Sequence, residues 1–326
     1  MTPSTSRGLE VAQVIIAPSG VVREATPRAR ELLGVEAAQP GLIGAWIPAF
    51  PAQMWASCGQ GAVVSVSCKR RELVVEVLRE TTEELTLQVE ARREDHPVDA
   101  HLDAISRVVT ELAHEVNNAL TGIVAALDST LDFEDISPSA RILVSNAHSE
   151  VLRVAKIVAR ARRQSRRGDA EIEAVETRRV LDAILRPMRP FFERRKITVL
   201  ADVPDELAVI YTDASRLLSI VLNLIVNARD ALAEHGSTLQ VRFDRLPPET
   251  ASERAWLALT VRDDGIGMDR AELRRAGDLL YTTKKQGTGI GLATVRAMAA
   301  SLSGSLLLRS TPRHGTLASV FFPDPR

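Results

Sequence analysis

Apolar and polar positions change rhythm twice along this chain. Up to about residue 91 they alternate over short runs. The segments "AVVSVSC" (62–68) and "ELTLQVE" (84–90) repeat with period two, and "ELVVEVL" (72–78) is rich in β-formers. All three predict strands, because side chains alternate between the two faces of a sheet. An earlier strand, "VAQVIIA" (11–17), ends in the turn "PSG". Between the early and late strands "TPRARELLG" (26–34) predicts a short helix, with Thr26 as N-cap and Pro27 at the first helical position.

His96-Pro97 breaks that pattern, and the period lengthens. Leu102, Ile105, Val109, Leu112, Val116, Ala119, Ile123 and Ala126 recur at steps of three and four, the a and d seam of a heptad. This predicts a helix over about 99–131. "LDFEDISPSA" (131–140) supplies a turn. Pro138 starts a second helix, which reaches about Arg167 with Val144, Ala147, Val151, Val154, Val158 and Ala161 on its seam. One such hairpin leaves an apolar seam on both arms. Pairing two copies in a four-helix bundle would bury it, so a homodimer is expected. The basic end "RARRQSRR" suits the helix dipole as a solvated terminus.

Beyond Gly168-Asp169 the pattern becomes mixed. Strands are predicted at "ITVLADV", "LQVRFDR", "WLALTVRDD", "SLLLRS" and "LASVFFP", and helices at 177–195, 213–234 and 289–303. The expected architecture is multidomain α+β: a small α/β module over 1–97, an antiparallel helical hairpin over 98–168 and an α/β sandwich over 169–326.

Composition narrows the function classes. The 326 residues carry 41 basic and 42 acidic side chains, a net charge of −1, which gives no reason to expect a nucleic-acid or anionic-membrane partner. No apolar run approaches the ~18 residues a membrane helix needs, and "MTPSTSRGLE" lacks the charged-then-apolar order of a signal peptide. Two cysteines, Cys58 and Cys68, are too few for a disulfide framework and read as core or surface filling. The expectation is a reduced, cytoplasmic protein.

Candidate chemistry is concentrated in five places. In "ELAHEVNNALTGIV" (111–124), with Val109 and Val116 at a, His114 falls at f, opposite the seam. Asn118 and Thr121 share that outward face. Glu115 can accept or hold an imidazole proton, and a neutral, oriented imidazole is a nucleophile. In "SRLLSIVLNLIVNARDAL" (215–232), Asn223 and Asn227 project to one side, one turn apart. Their amide oxygens are hard ligands suited to Mg²⁺ bridging phosphates, although helix-surface asparagines are common. In "VRDDGIGM" (261–268) a strand ends in Asp263, a potential acceptor for an adenine amine, and Gly265 and Gly267 would let backbone approach a ring. An ordinary Asp-Gly turn would read the same way. In "YTTKKQ" (281–286), Lys284 and Lys285 are either a lid touching phosphate or solvated charge. Lastly "GTGIGLATV" (287–295), with Gly287, Thr288, Gly289, Gly291 and Leu292, opens a helix whose free N–H groups suit an anion. No strand runs into it and no Gly-Lys-Ser/Thr follows, so it is neither a dinucleotide fingerprint nor a P-loop.

Taken together, in this order, these motifs make residues 100–326 resemble a bacterial sensor histidine kinase of two-component systems, of the soluble nitrogen-regulation-like kind. The segment "SGVV…A…ARELLG" resembles the entry of a PAS sensor domain. The resemblance implies a dimerisation and histidine-phosphotransfer hairpin and an ATP-binding domain of the gyrase, heat-shock chaperone, kinase and mismatch-repair (GHKL) type. It implies His114 as phosphoacceptor, Glu115 as its acid/base partner and Asn118 as a dephosphorylation residue. It further implies Asn227 on Mg²⁺ with Asn223 beside it, Asp263 on adenine, Gly287, Gly289 and Gly291 on the phosphate side, and Thr316 of "HGTLASVFF" near the adenine. ATP and Mg²⁺ are the expected cofactors, and a response-regulator receiver domain the expected partner. A regulator-binding phosphatase scaffold with weak autokinase activity is the alternative. A chaperone or repair ATPase fits the hairpin and its histidine poorly. Two departures stand out. Ala119 replaces the usual proline, and "AGDLLYTTK" lacks the usual phenylalanines, which bears on how the lid packs.

Overall fold

A computed structural model describes residues 12–17, 19, 21–35, 43, 47–51, 54–55, 58–68, 71–80, 84–91, 170–248, 254–284 and 289–326. The expected hairpin, with His114, Glu115 and Asn118, lies outside the described residues, as do Lys285, Gln286, Gly287 and Thr288.

The N-terminal strands form where the alternation puts them: β1 (Gln13–Ile16), β3 (Val63–Cys68), β4 (Arg71–Glu80) and β5 (Leu85–Ala91). A further strand, β2 (Val22–Ala25), pairs with β1. The predicted helix is α1 (Pro27–Leu33), with Pro27 at its start. Thr26 Oγ1 accepts from the Ala29 amide, and Gly34 closes the helix in the left-handed region at φ 65°. Cys58 is buried, and its thiol donates to the Met54 carbonyl at 3.2 Å.

In the C-terminal part, β7 (Thr198–Asp202), β9 (Thr238–Leu246), β10 (Trp256–Asp263), β11 (Ser305–Thr311) and β12 (Gly315–Pro323) match the predicted strands. Two short strands absent from the sequence reading, β6 (Glu173–Glu176) and β8 (Val209–Thr212), form their own antiparallel pair. Four residues give too short a run for periodicity to register. The helices are α2 (Thr177–Arg194), α3 (Ala214–Glu234), the unpredicted single-turn α4 (Arg270–Arg275) and α5 (Gly291–Ser301). Asp213 caps α3 by accepting from the Ser215 and Arg216 amides, each at 3.0 Å. A capping box between Asp269 and Glu272 starts α4.

Both ends of the chain share one ten-stranded sheet, ordered β2-β1-β5-β4-β3-β11-β12-β10-β9-β7. All neighbours are antiparallel except β7 with β9. Alternation along the C-terminal strands divides their side chains between two cores. Leu257, Leu259, Leu306, Leu308, Val320 and Phe322 join a cluster with Leu217, Ile220, Val221, Leu224 and Val295 from α3 and α5. Their neighbours Ala258, Leu307 and Phe321 point the other way, into a cluster with Leu33, Phe50, Trp55 and Val64 of the N-terminal part. Phe321 meets the edge of Phe50 with ring centroids 5.2 Å apart.

Candidate functional site

The site lies where β10 and β12 end beside α3. Register pairs Asp263 with Thr316, which places the last carboxylate of β10 over the start of β12. Asp263 is buried, 6% exposed. Its Oδ1 accepts from the Gly265 amide at 2.9 Å and the Thr316 amide at 3.3 Å. Burial pushes its pKa up to about 6 despite those two donors, with the nearby Asp264 charge adding to the rise. The adjacent carboxylate behaves oppositely. Asp264, though partly desolvated, is held below the ordinary value by the Thr238 and Ser237 amides, at 2.7 and 2.8 Å. One aspartate of the pair therefore faces the site, and the other ties β10 to the start of β9.

Gly267 sits at φ 66°, and a Cβ there would lie 2.1 Å from the Thr311 carbonyl oxygen. Ser310, which carried no signal in the sequence, braces this turn from β11. Its Oγ accepts from the Met268 amide at 2.8 Å, donates to the Gly315 carbonyl at 3.0 Å and lies 2.8 Å from Thr316 Oγ1. The glycine turn, β11 and β12 are thus one hydrogen-bonded unit.

Across from it, α3 presents its asparagines. Asn223 Nδ2 donates back to the Ser219 carbonyl at 2.8 Å. The first residue of α5 lies against both: a Cβ on Gly291 would stand 3.3 Å from Asn223 Oδ1 and 3.5 Å from Asn227 Oδ1. Leu292, next in α5, is partly buried against the core. Gly289 adopts φ 68°, and a Cβ there would meet the Leu280 backbone at 2.3 Å, so the loop before α5 closes tightly on itself. Lys284 reaches from that loop to α3. Its Nζ lies 2.8 Å from Asp230 Oδ2 and 3.4 Å from Asn227 Oδ1. Asp230, although desolvated, is held below the ordinary carboxylate value by Lys284 and Arg229. The lysine is therefore no freely solvated charge. The segment lacking phenylalanines leaves Leu280 68% exposed, while Arg275 stacks over the Tyr281 ring at 4.1 Å.

The structure thus gathers Asn223, Asn227, Asp263, Gly265, Gly267, Lys284, Gly289, Gly291, Leu292 and Thr316 around one end of the sheet. Sequence reading missed Ser310, Asp230 and the contrast between Asp263 and Asp264. On the α3 side of the site the donor type fits a hard cation. Asn227 offers an amide oxygen already facing a lysine ammonium at 3.4 Å. Among the described residues no group of three or more His, Cys, Asp or Glu could hold a metal. Such a donor set suits Mg²⁺ that arrives with phosphates and keeps water, not a protein cage.

Residues 212–326 match the family of histidine kinase-, DNA gyrase B- and HSP90-like ATPases. The sensor kinase CckA of Brucella abortus is 26% identical over 254 residues, 75% of this chain and 26% of that protein. The sensory histidine kinase/phosphatase NtrB of Azospirillum brasilense is 28% identical over 262 residues, 76% of this chain and 64% of that protein. Over about three-quarters of its length this chain is similar to bacterial sensor histidine kinases. It spans less than two-thirds of the length of either relative. Among solved structures, full-length ShkA with AMPPNP aligns at a TM-score of 0.44 and 19% identity, covering 67% of this chain and 45% of that one. The α3, β10 and α5 elements of the site all lie inside the segment that matches this ATPase family, which implies ATP use. Among the described residues no helix is long and apolar enough to cross a membrane.

Proposed function

We propose that this chain is an ATP-dependent protein-histidine kinase that autophosphorylates His114 and passes the phosphoryl group to an aspartate of a response-regulator receiver domain. The observation that carries the reading is Asp263, a buried carboxylate held by two backbone amides at a strand end, opposite the paired asparagines of α3. In its ionised form it accepts from the exocyclic amine of adenine. The N-terminus of α5 faces the phosphates. Asn227 would hold Mg²⁺ with Asn223 beside it; when bound, the metal offsets charge on the triphosphate.

Transfer itself needs positioning more than covalent help from the protein. An imidazole nitrogen of His114 attacks the γ-phosphorus, the nitrogen–phosphorus bond forms, and the bond to the bridging oxygen breaks to release ADP. Glu115 takes the proton from the other ring nitrogen. The labile phosphoramidate then passes its phosphoryl group to a receiver carboxylate. The remaining parts of the proposal are a PAS-like sensor over 1–97, a dimeric hairpin over 98–168 forming a four-helix bundle, a catalytic domain over 169–326 and a cytoplasmic location, where ATP is available. A second reading, a regulator-binding phosphatase scaffold with weak autokinase activity, draws support from Asn118, one turn beyond His114 on the same predicted face.

The deciding experiment is labelling with γ-³²P-ATP. Acid-labile, alkali-stable label on the wild-type chain, absent from a His114→Gln variant that still binds nucleotide, is the expected result. Equal label on the variant refutes the phosphoacceptor assignment. A wild type that takes up no label, yet shortens the lifetime of a phosphorylated regulator, favours the scaffold.

A further inference from the structure

The ATPase sheet does not end at β11. Strand β3 of the N-terminal part pairs with it antiparallel, Val63 opposite Leu308, Val64 opposite Leu307 and Ser65 opposite Leu306. Sheet-edge pairing of this kind supplies main-chain hydrogen bonds, and side chains facing the second layer add apolar contact. Phe321, Leu307 and Ala258, on the sheet face away from the helices, are covered by the N-terminal core.

Three carboxylates of the N-terminal part make ion pairs alongside the shared sheet. Glu76 of β4 is almost fully buried, with its side chain 4% exposed, and lies between Arg270 Nε at 2.6 Å and Arg274 Nη1 at 3.2 Å, both from α4. Glu90 of β5 takes Arg274 Nη2 at 2.5 Å, and Arg274 is held above its ordinary value, first by this hydrogen bond. Glu72 of β4 lies 3.3 Å from Arg296 Nη2 of α5.

The gripped elements are those that shape the nucleotide site. Helix α4 starts three residues after Gly267, and α5 starts at Gly291 beside Asn223 and Asn227. Strand β11 runs into Ser310, whose hydroxyl holds the Met268 amide and reaches Thr316. From these contacts we propose that the N-terminal domain is a built-in regulatory partner of the ATPase domain, docked through β3 and the Glu72, Glu76 and Glu90 carboxylates so as to pre-organise α4, α5 and β11 for nucleotide. This signal path runs through the sheet, without the helical hairpin. It rests on the proposed reading of the C-terminal domain as an ATP site.

Docking and nucleotide binding are then thermodynamically linked, and each strengthens the other by the same factor. Holding α4 and α5 in place beforehand removes an ordering cost that nucleotide would otherwise meet. Arg274 acts as a positioning residue, without touching the nucleotide.

The test uses the full chain and the probe AMP-PNP. Calorimetric dissociation constants are measured for wild type, Glu90→Gln, Arg274→Gln and Arg274→Lys, with circular dichroism checking that each is folded. In parallel, hydrogen exchange of the β3 and β4 amides is followed with and without the analogue. The expected result is three- to tenfold weaker binding for Arg274→Gln and Glu90→Gln, partial recovery in Arg274→Lys, and slower exchange in wild-type β3 and β4 when AMP-PNP is bound. Dissociation constants within twofold of wild type in folded variants overturn the proposal and leave the ATP-site reading intact. Should the variants fail to fold, wild-type exchange decides alone: no response of β3 and β4 to AMP-PNP overturns the coupling. No binding of AMP-PNP by wild type overturns both readings.

Discussion

Asp263 and Thr316 face each other across the β10–β12 ladder, and the Thr316 amide donates to Asp263 Oδ1 at 3.3 Å. With the Gly265 amide it fixes a carboxylate that burial would otherwise drive neutral. Asp263→Asn should weaken ATP-analogue binding ten- to a hundredfold, the effect of losing a charge-assisted hydrogen bond worth roughly 1.5–3 kcal/mol. An unchanged calorimetric dissociation constant contradicts the adenine-anchor role.

The same residue gives a pH signature. Its folded pKa of about 6 lies above the ordinary 3.8, so the folded chain binds the extra proton more readily than the unfolded one. The stabilising contribution of this group is full below about pH 3.8 and is lost as pH rises through about 6, amounting to roughly 3 kcal/mol at most. Nucleotide affinity runs the other way, because the carboxylate must be ionised to accept from adenine. Binding should therefore fall as pH drops through about 6. In Asp263→Asn that step should vanish, and the nucleotide-free variant should melt no lower than wild type at pH 7. A variant that keeps the wild-type pH step disproves the assignment.

Asn227 presents its amide oxygen beside the Lys284 ammonium, and the proposed function puts Mg²⁺ there. Asn227→Ala should weaken binding of the analogue measured with Mg²⁺ at least tenfold, and change binding measured in excess EDTA by less than threefold. Equal losses under both conditions would show that the asparagine contacts the nucleotide or supports the fold, and does not serve the metal.

Gly267 occupies φ 66°, with the Thr311 carbonyl in the space a Cβ would take. Gly267→Ala should cost on the order of 2 kcal/mol or more from backbone strain and displacement of β11. The melting temperature should drop by roughly 5 °C. A variant as stable as wild type would mean that the turn relaxes without cost.

Asn118 shares the predicted outward face with His114. Asn118→Ala should leave autophosphorylation within about twofold of wild type while lengthening the lifetime of a phosphorylated regulator mixed with the protein. Identical decay with both forms, where wild type accelerates decay, removes the dephosphorylation role.

Much of the site was legible because its chemistry is local in sequence. The Asn223 and Asn227 pair follows from helical spacing. Thr26 and Pro27 announce α1. The Asp263–Gly267 turn follows a strand whose alternation is plain. In each, the deciding interactions lie within a few residues of one another. The glycine-rich run before α5 was likewise separable from a P-loop because a lysine-bearing loop, not a strand, precedes it.

Tertiary structure decided what period and propensity cannot carry. Alternation shows that β3 has a buried face, but not that its edge pairs with β11, more than 200 residues away. The side-chain pattern specifies which face of a strand is buried, not which distant edge it pairs with. Nothing in "ELVVEVL" marks Glu76 as buried, yet it is, because Arg270 and Arg274 arrive from α4 to compensate it. Asp263 and Asp264 are chemically identical neighbours in sequence. Only the packing around β10 buries one, raising its pKa, and gives the other the amides of Ser237 and Thr238. Sequence thus determined which local groups are available for binding, and the fold determined which of them lose water and which distant strand holds them in place, since desolvation is set by three-dimensional neighbours and not by order along the chain.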